Sequence, residues 1–324
     1  MTSHSYNFSA RQVFGIVSPI AAVFLVGIVA AHLADLAGWI PLRADIGGVR
    51  HQAAMAHTRH PAEIVFVGDS TCWCGIDASA ISNELPGHIP AINLSVFSWF
   101  DLVRYAQLAD EFAAANPRQV KWVVLLVCAN KLSRTVEIPK QNEVWHQLGE
   151  EDRRHSFGGQ GDFFSGPLFR ERLAQWVLPE THHGRGAVFF GFNRHIGQFM
   201  TAHNGGIFDF GDYVPNPKQK AEDPWKLRAQ FEPACRDFKK NLPPGVKLAI
   251  GVIPSIIGTV TPDSKASYLP CLQQWNGWLQ ADLVLTNLPI ALPTSCFAPG
   301  AHLNAIGQKI FTSAVAKELA PALR

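Results

Sequence analysis

Ile64-Val65-Phe66-Val67 runs directly into Gly68-Asp69-Ser70, and the reading of this stretch decides the fold. An unbroken apolar run, mostly β-branched, is the pattern of a strand buried on both faces, as in the centre of a parallel sheet. The run stops at a glycine and an acid, and a helical pattern rich in small residues follows at once. Ser70 is thereby left at the carboxyl end of a first strand, where open parallel sheets bind their ligands. More than two hundred residues later, Ala301-His302-Leu303-Asn304 opens the last helix. A serine hydroxyl is a weak nucleophile until a base takes its proton, and such pairs are recognised by role and geometry rather than by chain order. A plain turn, with Asp69 and Ser70 capping the next helix, accounts for the first stretch but gives His302 no part.

Working outward, strands are expected at 63–67, 90–96, 120–127, 246–253 and 281–286. Helices are expected from Asp77, which can cap the N–H groups that follow it, and over 99–115, 225–242 and 304–319. Lys239 and Lys240 complement the dipole at the end of the third of these. Strands alternating with helices indicate an α/β fold with a parallel sheet covered on both sides. Ser70, Ser95 and Asn130 each fall at the carboxyl end of an expected strand, so they converge without special folding.

The 324 residues suffice for one large domain or two small ones, and the net charge is +2. No Lys/Arg cluster is interleaved with aromatics, which argues against nucleic acid as a partner. The six cysteines contain no Cys-x-x-Cys pair, and His182, His183, His195 and His203 lack ligand spacing, so no metal is expected. Cys72 and Cys74 read as small buried apolar residues. Cys271 and Cys296 can pair in an oxidising compartment, a connectivity that sequence leaves open.

From Val13 to Ala31 the chain carries no charge. That length crosses about 30 Å of hydrocarbon as a helix, and no cleavage signal follows it. Residues 13–33 are expected to form an uncleaved anchor helix, continuous or kinked at Pro19. Arg11 before the span, against Arg43 and Arg50 after it, leaves orientation undecided by charge. The chain then divides into an anchor (1–40), a first part of the globular domain (41–130), an insertion (131–224) and a second part (225–324). Trp145, Trp176, Phe189, Phe190, Phe208 and Phe210 make the insertion aromatic, and a short helix is expected at 168–177. These rings either stack on sugars or pack the insertion onto the sheet.

Gly68-Asp69-Ser70 with Gly75 resembles the first block of the SGNH/GDSL hydrolases. Asn93-Leu94-Ser95 resembles their second block, Asn-x-Gly, and Cys128-Ala129-Asn130 their third, Gly-x-Asn. His302 stands where the last block has Asp-x-x-His. Ser95 and Cys128 replace two of the family's glycines, and Pro299 replaces its aspartate. The resemblance covers roughly 60–130 and 245–324. It implies a flavodoxin-like three-layer sheet, with Ser70 as nucleophile and His302 as base. The oxyanion donors it implies are the backbone N–H groups of Ser70 and Ser95 and the amide of Asn130, while Gly68 and Asp69 support the turn. No cofactor is required.

Without the family's aspartate, His302 needs another orienting group. A backbone carbonyl from 298–300, a distant acid, or a domain that binds without catalysing all remain open, and a Ser-His dyad oriented by the carbonyl is the expectation. A membrane-tethered domain of this kind resembles bacterial envelope enzymes that move acyl groups on polysaccharides. The resemblance implies a serine O-acyltransferase or esterase at the inner membrane, with an extracytoplasmic domain. Its substrate would be a glycan or acyl ester, and its partner a membrane-bound O-acyltransferase. The alternatives are a non-catalytic scaffold or glycan-binding subunit of an exopolysaccharide complex, and a lipid esterase.

Overall fold

A computed structural model describes residues 10–36, 44–98, 100–129, 131, 194–209, 213–215, 221–261 and 263–323. Asn130 and the helix expected at 168–177 lie outside the described residues. Among the described residues five parallel strands form the main sheet: β1 (Ile64–Gly68), β2 (Ala91–Asn93), β3 (Trp122–Cys128), β4 (Lys247–Ile253) and β6 (Leu283–Val284). Their order is β2-β1-β3-β4-β6, that of a flavodoxin-like doubly wound sheet. β5 (Ser255–Ile256) and β7 (Ala291–Leu292) pair separately as a short parallel ladder. The helices are α1 (Ala10–Leu36), α2 (Ala44–Ala56), α3 (Ser70–Gly75), α4 (Ala78–Glu84), α5 (Leu102–Ala115), α6 (Arg194–Ala202), α7 (Glu232–Lys240), α8 (Ser264–Leu279) and α9 (Ala305–Leu319).

The two-residue period of the strands sorts their side chains into two cores. Val65, Val67, Val123, Leu125, Val127, Leu248, Ile250 and Val252 face Tyr105 and Phe112 of α5, Phe238 of α7 and Trp275 of α8. Ile64, Phe66, Val124, Leu126 and Ala249 face Ile81 of α4 and Phe311, Val315 and Leu319 of α9. Each large apolar side chain, fully buried, contributes about 1.5–3 kcal/mol. Burial on both faces explains why the central strands read as continuous apolar runs.

Several expectations change. The second strand is regular only over Ala91–Asn93, although its bonding to β1 runs on, with the Leu94 N–H on the Phe66 carbonyl at 2.8 Å and the Val96 N–H on the Gly68 carbonyl at 3.0 Å. The fifth is reduced to Leu283–Val284 at the sheet edge. Residues 44–56, where no helix is expected, form α2, which buries Val49, Gln52 and Met55. The helix expected over 225–242 begins later, at Glu232.

α1 forms over the stretch expected to be an anchor, with Pro19 inside it. Val23, Phe24, Leu25 and Val26 are 64–72 % exposed. Among the described residues no helix is long and apolar enough to cross a membrane.

Gly68 ends β1 where no side chain fits. A Cβ there would lie 1.8 Å from the Leu126 carbonyl oxygen and 2.9 Å from Cys72 Cβ. Because the first obstacle is backbone of the central strand, it cannot swing aside. Gly68→Ala is expected to cost about 3 kcal/mol or more, read as a lowered urea midpoint with an unchanged slope.

All six cysteines are free thiols, so the pairing of Cys271 with Cys296 is not made. Burial pushes the thiols of Cys72, Cys74 and Cys128 far up, that of Cys235 up to about 12 and that of Cys271 up to about 11. The folded state therefore keeps protons that the unfolded chain releases near pH 9, and stability falls as pH rises. Lys131 acts in the opposite sense, because burial lowers it to about 8. Five thiols act against one ammonium, so the net effect above pH 9 is a loss of stability as pH rises. Urea midpoints measured at pH 8 and pH 10 should differ sharply.

Candidate active site

Asp69 follows β1 directly and caps α3. Its Oδ1 accepts the Thr71 N–H at 2.9 Å, and its Oδ2 accepts the Cys128 N–H at 2.9 Å. One buried carboxylate thus fixes the turn after β1 and ties it to the end of β3, the turn-supporting part expected of it. Ser70 becomes the first residue of α3 and is 7 % exposed.

His302 is set on the other side of the site by a tight loop. Gly300 has φ 82° and Ala301 φ 64°, the Ala298 N–H donates to the His302 carbonyl at 2.8 Å, and Asn304 caps α9. The left-handed pair Gly300-Ala301 turns the chain so that the imidazole points back toward α3. His302 Nε2 lies 3.0 Å from Ser70 Oγ, and His302 is 4 % exposed. Sequence reasoning paired these two residues, and the structure brings them together.

The orienting group is a correction to the expected dyad. His302 Nδ1 meets Asp209 Oδ2 at 2.9 Å, and Asp209 is 1 % exposed. A carboxylate can only accept, so Nδ1 carries the proton and Nε2 is left to accept from the Ser70 hydroxyl. No carbonyl from 298–300 is needed. Asp209 comes from the insertion, 93 residues before the histidine.

A short strap after α6 carries this acid into place. Gly205, at φ 88°, donates to the Met200 carbonyl at 2.7 Å and ends α6. The Asn93 N–H donates to the Asn204 carbonyl at 2.8 Å, so the strap continues the sheet beyond β2. A Cβ at Gly205 would sit 2.0 Å from the Asn93 carbonyl oxygen, so a side chain is excluded there. Trp73 of α3 donates from its indole to the Gly205 carbonyl at 3.1 Å, and its own carbonyl accepts the Ile207 N–H at 3.3 Å. The Asp209 N–H donates to the Leu303 carbonyl at 3.2 Å, beside the base it orients.

The expected oxyanion donors fare differently. The Ser70 N–H stands at the start of α3, ahead of any acceptor within the helix. The Ser95 N–H donates to Asn93 Oδ1 at 3.0 Å and is engaged inside the protein. Asn130 lies outside the described residues. Asn93 has a part that the sequence did not suggest: its amide reaches the carbonyls of Cys72 and Ile76 at 3.2 and 3.1 Å and secures the end of α3. Lys131 is also unanticipated. Its buried ammonium donates to the carbonyls of Ser98 and Phe100, tying the loop after β2 to the end of β3. His203 pairs with Asp77 at 3.2 Å and lies flat on Phe199. Among the described residues no group of three His, Cys, Asp or Glu side chains is placed to hold a metal ion.

No protein-family model matches the chain, and no curated protein matches it. Among solved structures it is similar to a protein from Streptococcus pneumonia provisionally assigned as a platelet activating factor. That likeness has 13% identity and a TM-score of 0.37, covering 91% of this chain and 99% of the other. So distant a likeness decides neither the family nor the activity.

Proposed function

We propose that this chain is a membrane-anchored member of the SGNH/GDSL hydrolases. In this reading it acts as a serine O-acyltransferase or esterase on a cell-envelope or exported polysaccharide. The observation that carries it is the line Asp209–His302–Ser70, with contacts of 2.9 and 3.0 Å among three buried polar residues. Burying a carboxylate, an imidazole and a hydroxyl costs free energy unless each is paired, and this pairing has the direction that nucleophile activation requires.

The Ser70 hydroxyl gives its proton to His302 Nε2 as Oγ bonds to the ester carbonyl carbon. The tetrahedral oxyanion collapses, the carbon–oxygen bond to the leaving alcohol breaks, and that alcohol takes the proton from Nε2. Water in an esterase, or a sugar hydroxyl in a transferase, then attacks acyl-Ser70 while His302 takes its proton, and as the carbon–Oγ bond breaks Ser70 recovers that proton from Nε2. A membrane-bound O-acyltransferase would be the natural source of the acyl group.

The sequence supports the anchor: the stretch from Val13 to Ala31 carries no charge, and at about 1.5 Å per residue in a helix it approaches the roughly 30 Å of a hydrocarbon core. An exposed apolar surface of this kind calls for a lipid or protein environment. The domain would then be a single-pass, extracytoplasmic protein of a bacterial inner membrane.

A non-catalytic glycan-binding subunit is the second reading, and the engaged Ser95 N–H favours it, since an oxyanion would have one donor fewer. A fluorophosphonate probe decides between the two: covalent labelling mapped to Ser70 supports the enzyme, and its absence at probe excess supports the binding subunit. Vesicle flotation of the full chain, compared with a chain beginning at residue 44, tests the anchor.

A further inference from the structure

We infer that Gln308 is a positioning residue for the active site, stapling together the three segments that supply Ser70, Asp209 and His302. The inference rests on the catalytic reading above. Gln308 lies in the first turn of α9, on the helix that His302 precedes, and it is 6 % exposed. Its single amide nitrogen donates twice. One hydrogen goes to the Cys74 carbonyl of α3, the helix opened by Ser70, at 3.1 Å. The other goes to the Ile207 carbonyl of the strap, two residues before Asp209, at 2.9 Å.

Both acceptors lie where local structure runs out of donors. Cys74 is in the last turn of a six-residue helix, whose carbonyls have no further helical donors. Ile207 belongs to a strap without secondary structure of its own. An NH₂ group can give a hydrogen to each of two carbonyls while adding no charge. The side chain therefore fixes the distance from α3 to the strap, with α9 as the reference. A shift of the strap of about 1 Å would open the Asp209–His302 contact, and displacements of that size lower turnover by about 10²-fold even when made far from the chemistry.

The test is a double-mutant cycle read by hydrolysis of a small acetyl ester. Gln308→Met keeps length and volume but has no hydrogen to give. In the wild-type background it is expected to lower kcat about 10–100-fold with little change in KM. It should also broaden the downfield NMR signal of the imidazole proton shared with Asp209. In an Asp209→Asn background the same substitution should cost less than about threefold, because the contact it protects is already gone. An equal loss in both backgrounds would assign Gln308 to general stability and overturn the inference while leaving the catalytic reading intact. Unfolding of both Gln308→Met and Gln308→Asn would overturn it in the same way. Ser70→Ala with undiminished hydrolysis would instead remove the catalytic reading itself.

Discussion

Ser70→Ala is expected to reduce turnover of a small acetyl ester by roughly 10⁴–10⁶-fold, to whatever the site achieves without a nucleophile. The size follows from geometry. Ser70 Oγ is the hydroxyl that lies 3.0 Å from the Nε2 acceptor of His302, and it stands at the carboxyl end of β1, where substrate approaches the sheet. Removing it leaves His302 able only to activate water from a position set for another atom. His302→Ala should cost about as much, and the double variant little more, since the two residues act as a unit. Ser70 is small and its replacement leaves α3 capped by Asp69, so the thermal midpoint should move by no more than about 1–2 °C. Fluorophosphonate labelling followed by peptide mapping checks the same point without a substrate. Hydrolysis that persists in Ser70→Ala would place the chemistry elsewhere and leave the glycan-binding subunit as the better account.

Most of the sheet was legible, because burial on two faces writes itself into sequence as unbroken apolar runs ended by turn residues. Val120 to Val127 and Val246 to Ile253 carry that signature, and they are β3 and β4 within two residues. Ser70 was legible for the same reason: the strand ends, and the residue after the turn is placed by the sheet. α8 was missed although its buried residues, Tyr268, Cys271, Leu272, Trp275 and Leu279, recur at helical spacing. Pro270 inside it, and polar residues between, hid a pattern that a count of positions three and four apart would have found. α2 was missed because its inner face is small: Val49, Gln52 and Met55 give little contrast with the residues around them.

A distant acid was open as the orienting group, but little in the sequence marked Asp209 as that acid. It is one acid among many, and what singles it out is a contact with a residue 93 positions away. The family pattern pointed to the wrong place, three residues before His302, where Pro299 offers nothing. One weak local signal existed. Asp209 sits in Ile207-Phe208-Asp209-Phe210, and an acid set among large apolar residues must find a partner when that segment is buried. The engagement of the Ser95 N–H was equally hidden, because it depends on which way the Asn93 side chain turns.

Asp209→Asn is therefore the substitution that tests what the sequence could not supply. An amide in this place presents an NH₂ to His302 Nδ1 as readily as an oxygen. If nitrogen faces the ring, the imidazole must carry its proton on Nε2, which then points a hydrogen at Ser70 instead of a lone pair. The developing imidazolium also loses the buried carboxylate that balances its charge. Loss of the equivalent carboxylate in a Ser-His-Asp hydrolase lowers kcat about 10⁴-fold with the geometry intact, and a similar fall is expected here, with KM little changed. Folding should survive, because the substitution keeps the side-chain volume and the backbone bond to Leu303. Pro299→Asp, by contrast, should not raise activity, since Nδ1 already has its acceptor at 2.9 Å. The pair of results separates two accounts of the same histidine. A full rate in Asp209→Asn, together with a gain in Pro299→Asp, would mean that His302 is oriented from its own loop and that the Asp209 contact is structural only.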